Sequence, residues 1–207
     1  MIWWEVARHQ VAISGRVTDA QRNQPIGDAE VVITEMPATF KEKLKGALKR
    51  FANGAAPQGA GLGRTRTRPD GLFYFLDLPD GKYTLAAAAP RFGKRYGVVR
   101  QTTVVARDDS GALKPSFVAF PLQPTAVSGK ITATGQKAGV VMAEVRVKGS
   151  GERAFSDARG QYLLAGIEPG NRTVVIVAQG YRSASQAITI KEPGEVQTVN
   201  VTLARET

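Results

Sequence analysis

The sequence predicts an all-β chain of two tandem antiparallel sandwiches, the first carrying an amphipathic helical insertion. Three observations lead there. Short segments alternate apolar and polar residues, the period of a strand with one buried face. Turn signals rich in Gly, Pro and Asp separate them, with no spacing for a β–α–β unit. The same pattern then occurs twice along the 207 residues.

The first strands are Ile13-Ser14-Gly15-Arg16-Val17-Thr18 and Val127-Ser128-Gly129-Lys130-Ile131-Thr132. The second are Ala29-Glu30-Val31-Val32-Ile33 and Ala143-Glu144-Val145-Arg146-Val147. The clearest match sets 70–84 against 159–173 at a constant offset of 89 residues, which still holds at Phe92 and Tyr181. Phe73, Phe75 and Leu78 share one face there, as do Tyr162, Leu164 and Ile167. Gly71 and Gly160 occupy turn positions that suit positive φ or a close backbone approach. Further strands follow at 83–89 and 173–178, and the copies close with 117–122 and 199–203. The boundary is expected at Gln123-Pro124-Thr125, giving domains 1–124 and 125–207.

Together these segments resemble the carboxypeptidase regulatory-like domain. The shared string is G-x-[VI]-T, then A-x-V-x-V, then [DR]-G-x-[YF] followed by the Pro/Asp-Gly turn and the next strand. The resemblance spans roughly 10–36 plus 64–122, and 125–205. It implies a transthyretin-like, seven-stranded Greek-key sandwich for each copy, and a module used as spacer, adhesion or interaction element. The second copy departs from the pattern at Arg159, where the first has Asp70, although Asp157 lies nearby.

Ile13 to Gly71 spans 58 residues and Val127 to Gly160 only 33, so about 25 extra residues lie within the first copy, at about 37–63. Within them Phe40, Leu44, Ala47, Leu48 and Phe51 have the spacing of one helical face, and Lys41, Lys43, Lys45, Lys49 and Arg50 fill the rest. Pro37 and Thr39 supply a start and Asn53-Gly54 an end. Three readings of this helix stay open: a cover for its own domain, a docking helix for another protein, or a basic helix on an anionic membrane. The docking reading selects Phe40, Leu44, Leu48 and Phe51. The adjacent Trp3 and Trp4 either cap the first sandwich or anchor a neighbour.

Net charge is +10, with 18 basic and 11 acidic residues over 1–124 and 10 and 7 over 125–207. Arg64, Arg66 and Arg68 alternate through one strand and should share a face. With Arg91, Lys94 and Arg95 they are expected to form a basic patch. An acidic protein surface ranks ahead of a membrane as its partner, with nucleic acid and small-molecule substrates further back.

Composition removes most catalytic chemistry. There is no cysteine and one histidine, His9. By resemblance, hydroxyisourate hydrolases of this fold type need several His and Arg and a C-terminal Tyr motif. Related intradiol dioxygenases hold iron with two His and two Tyr. No G-x-S-x-G elbow is present, and Gly59-Ala60-Gly61-Leu62-Gly63 lacks the Lys-[Ser/Thr] of a phosphate loop. Asp77, Asp80, Asp108 and Asp109 lack the spacing of a calcium loop. No catalytic, cofactor or metal residues are expected.

The start, Met1-Ile2-Trp3-Trp4-Glu5, has no basic n-region. This predicts synthesis in the cytosol, with export as part of an assembly, or an extracellular protein if Met1 is not the native start. The leading reading is a non-enzymatic structural or adaptor protein in a multiprotein assembly, phage-tail-like or contractile-injection. The alternative is a cell-surface carbohydrate-binding or adhesion module.

Overall fold

A computed structural model describes residues 9–52 and 63–206, with residues 46–52 described by backbone alone. The chain divides into two compact units. One holds the chain up to Arg91 together with Val98–Leu122; the other holds Phe92–Gly97 together with Gln123–Thr207. By position along the chain the six residues 92–97 lie within the expected 1–124 domain, but they group with the second unit.

In the first unit β1 (Val11–Asp19) pairs with β4 (Leu72–Leu76) and β8 (Ser116–Leu122). The facing sheet runs β3 (Arg64–Arg66), β2 (Glu30–Glu35), β5 (Gly81–Ala88), β6 (Val99–Arg107), β7 (Leu113–Lys114). Between β2 and β3 lies α1 (Ala38–Ala52), which contains the expected 40–51 segment. Alternation does what it predicts: Ile13 and Val17, Val31 and Ile33, Phe73 and Phe75, Tyr83 and Leu85, and Val118 and Phe120 are all buried. Phe73 packs edge-on to Phe75 and tilted on Phe120, at 6.1 and 5.8 Å between centroids.

The second unit repeats this plan. One sheet runs β12 (Gln161–Ala165), β9 (Ala126–Ala133), β15 (Val196–Thr198), with β16 (Val201–Leu203) also on β9. The other runs β11 (Arg153–Phe155), β10 (Glu144–Val147), β13 (Gly170–Val177), β14 (Ala184–Ile190). Its core includes Val127, Ile131, Val145, Leu164, Ile167, Ile176 and Ile190.

The sheets depart from the simplest expectation in two ways. They are mixed: β1 pairs parallel to β8, and β9 parallel to β15 and β16. A Greek key returns its last strand beside its first, and a strand returning by a long connection can run in either sense. The strand count also differs from seven. The short β7 adds to the first unit. In the second, the final strand splits in two at Val199-Asn200, where the Asn200 side-chain oxygen accepts from the Lys130 N–H (2.8 Å).

Two devices recur at equivalent positions. Gly15 and Gly129 sit where a carbonyl of the last strand comes closest; a Cβ would lie 2.2 Å from the Val118 oxygen and 1.9 Å from the Val199 oxygen. Gly71 and Gly160 turn at φ +78° and +76°, each against a carbonyl of the first strand. The acid that closes this turn moves between copies. The Asp70 carboxylate accepts from the Leu72 N–H, whereas Asp157 accepts from the N–H groups of Arg159 and Gln161. Arg159 is therefore tolerated because the capping carboxylate sits two residues earlier.

The phenols of Tyr83 and Tyr162 donate to the carbonyls of Pro79 (2.8 Å) and Val199 (2.7 Å). Burial pushes each up to about 12 from an ordinary value near 10. Folding holds the protonated phenol, so this stabilisation is complete below about pH 10 and is lost as pH rises toward 12. An alkaline titration should show tyrosinate absorbance from these two residues rising above pH 10 together with unfolding. Substituting Phe at both positions should uncouple the two signals.

Candidate functional site

Among the described residues, the insertion helix α1 has no counterpart in the second copy. Its entry is built locally. The Pro37 carbonyl accepts from the Phe40 and Lys41 N–H groups, both at 3.1 Å. The Pro37 ring lies over Gly81, where a Cβ would come within 2.3 Å of it. Phe40 is 2% exposed and packs edge-on to Tyr83 at 5.8 Å. This corrects the docking reading of Phe40: the ring is buried against its own sheet and offers nothing to a neighbour. Leu44 is half-buried, with Gly63 at its edge. The side chains of Leu48 and Phe51, and all of Trp3 and Trp4, lie outside the described residues.

With Phe40 turned inward, the polar side of α1 carries exposed Lys41, Lys43 and Lys45. Glu42 pairs with Lys45 at 2.9 Å. The Lys43 charge is felt at Asp77, whose carboxyl is held below its usual range. The main cause is the Gln10 N–H donating to it (2.9 Å), followed by the hydrogen bond with His9. His9 is thus an exposed partner of a turn carboxylate.

The expected basic patch is divided. Arg64, Arg66 and Arg68 are all exposed, on the face opposite buried Thr67. Arg64 pairs with Glu30 (3.4 Å) and Arg66 with Asp28 (2.7 Å), so two of the three charges are matched locally. Arg91 belongs to the same unit as these three; Lys94 and Arg95 belong to the other. Arg95 is engaged there with Glu152 (2.6 Å) and Glu168 (3.3 Å). Around it, the Thr125 N–H donates to the Arg95 carbonyl (2.8 Å), the Thr125 hydroxyl to the Lys94 carbonyl (3.3 Å), and the Gly97 N–H to the Gln123 carbonyl (2.9 Å). Phe92 packs edge-on to Tyr96 at 5.6 Å. Arg95 is therefore a structural clamp, a role its sequence neighbours do not announce.

The remaining acidic turns are also occupied. Asp80 pairs with Arg107. Asp108 accepts from the Ser110 hydroxyl and from the Ala112 and Ser110 N–H groups, which holds its carboxyl low. Among the described residues no three His, Cys, Asp or Glu side chains converge as a metal site would require. No helix among them is long and apolar enough to cross a membrane.

Sequence reasoning missed one pair of internal groups. The Thr67 hydroxyl accepts from the Ala29 N–H and donates to the Ile26 carbonyl, at 2.9 and 2.7 Å. The Ser156 hydroxyl does the same with Ala143 and Val140, at the same two distances. Their 89-residue offset was the available signal.

The family model of the carboxypeptidase regulatory-like domain matches residues 126–204. Residues 126–204 are a carboxypeptidase regulatory-like domain. In this domain the matched stretch begins with β9 and ends just after β16, leaving the 92–97 segment outside. No curated protein matches the chain. Among solved structures, the shaft pilin SpaA from Lactobacillus rhamnosus GG is similar at 13% identity over 94% of this chain and 96% of its own, with a TM-score of 0.45. The Bacillus anthracis TIE protein is similar at 18% identity over 93% of this chain and 34% of its own, with a TM-score of 0.41. A cohesin–X-dockerin complex from Acetivibrio cellulolyticus is similar at 20% identity over 38% of this chain, with a TM-score of 0.30. That match covers 56% of the other chain, so the likeness takes in little more than half of it.

Proposed function

We propose that the chain is a non-enzymatic structural module that joins a multiprotein assembly through the exposed lysines of α1. We also propose that the first sandwich is a second carboxypeptidase regulatory-like domain. The internal correspondences of Gly15 with Gly129, Gly71 with Gly160 and Thr67 with Ser156 support that part.

One observation carries the functional reading. The insertion is anchored inward by Phe40 while Lys41, Lys43 and Lys45 remain exposed. An anchored helix presents its charges without the full ordering cost of a free segment, and three lysines in five residues suit an acidic protein surface. The finer version of the reading puts the chain in a phage-tail-like or contractile-injection assembly. Affinity recovery from the native source at low and moderate salt tests both levels. A stoichiometric set of proteins should co-purify and weaken with salt. The triple variant K41E/K43E/K45E should lose that set while its far-ultraviolet dichroism stays unchanged. Undiminished recovery by the variant would overturn the role of α1.

A further inference from the structure

Edge strands expose a row of unpaired N–H and C=O groups, and proteins usually blunt them with charge, proline, a bulge or a cover. Among the described residues, β14 shows none of these. It bonds to β13 over seven consecutive pairs, Gly170–Ile190 through Ile176–Ala184, with no shift in register. Among the described residues its other side faces no strand. From Ser183 to Ile190 there is no charged residue and no proline. The equivalent strand of the first copy, β6, is managed: it carries Arg100 and Arg107, and β7 covers its end at Ala106 and Arg107. The first sandwich shows that the fold does not require a bare edge here.

We propose that the free edge of β14 pairs antiparallel with β14 of a second copy of this chain, in the register centred on Ala187. A self-pairing antiparallel strand keeps its buried side chains on one face only when centred on a residue, which leaves few registers. The one centred on Ala187 sets Ile190 opposite Ala184 and Ile188 opposite Gln186, large against smaller on the inner face. On the outer face it sets Thr189 opposite Ser185, a hydroxyl pair of the kind that favours pairing. Centring on Gln186 would set Ile190 opposite Arg182, outside the strand, and centring on Ile188 would set Ile188 against itself. Uneven charge also helps: of the net +10, only +3 falls within residues 125–207.

The inference deepens the assembly reading above, and its failure would leave that reading standing, because partner recovery through α1 is measured separately. The chain has no cysteine, so a single introduced thiol reports one position. In the proposed register two copies of residue 187 face each other at ~4.5–5.5 Å between Cα atoms, within disulfide reach. Two copies of residue 185 are roughly 13 Å apart. The full chain should sediment as a dimer, and A187K, which sets lysine against lysine on an exposed face, should shift it to monomer. Under mild oxidation A187C should form a covalent dimer, S185C alone should not, and a mixture of S185C with T189C should. A monomer throughout the sedimentation range, or cross-linking of S185C as fast as A187C, would overturn the proposal.

Discussion

Replacing Gly129 with alanine is expected to destabilise the second sandwich by about 3 kcal/mol or more, the upper end for overpacked sites. The new Cβ would sit 1.9 Å from the Val199 carbonyl oxygen and 2.6 Å from its carbon, both backbone atoms. Val199 is held on both sides. Its N–H donates to the Ser128 carbonyl at 2.7 Å, and its oxygen accepts from the Tyr162 phenol at 2.7 Å. Relief of the clash therefore breaks hydrogen bonds on the strand that closes the sheet. In a domain of this size the fall in Tm should be roughly 12–24 °C. The control is Gly151→Ala in the β10–β11 turn, where a Cβ meets nothing within 4 Å; it should be neutral or slightly stabilising. Amide exchange resolved by residue separates the two sandwiches. Equal protection of G129A and wild type in β9 and β12 would refute the argument.

Removing the Ser156 hydroxyl is expected to cost roughly 2–4 kcal/mol. Ser156 is 2% exposed, and S156A would leave the Ala143 N–H and the Val140 carbonyl without their partner in the interior. Each buried orphan carries most of its desolvation penalty. S156T should retain most of the stability, because Thr67 performs the same bridge in the first sandwich. Urea unfolding should show a lower midpoint with an unchanged slope. A midpoint for S156A equal to wild type would remove the hydroxyl bridge from the account.

Legibility followed the range of each interaction. Strands with one buried face are written in a period of two, so Ile13 through Val17 and Val127 through Ile131 could be read directly. The turn at Gly71 and Gly160 is local and equally visible. The helix was betrayed by a difference in length between copies. What could not be read depends on residues far apart in the chain. Nothing in Phe40 distinguishes a ring that finds Tyr83 from one waiting for a neighbour. Nothing around Arg95 names Glu152 and Glu168, 57 and 73 residues away. Parallel pairing of β1 with β8 is a choice of partner, which alternation does not encode. Thr67 and Ser156 were legible only as a coincidence of spacing between two short hydroxyl residues.

The segment 92–97 bears on how such a protein can be cut and inherited. The second domain is not a continuous stretch of gene. Six of its residues are encoded inside the β5–β6 connection of the other domain, and they hold the Arg95 clamp and the backbone bonds to Gln123 and Thr125. A fragment starting at residue 123 would carry the whole family match and still lack part of its own packing. Recombination that exchanged either sandwich as a single cassette would separate Arg95 from Glu152 and Glu168. Lineages that keep the clamp are therefore expected to transmit the two copies together, as one exon-like block.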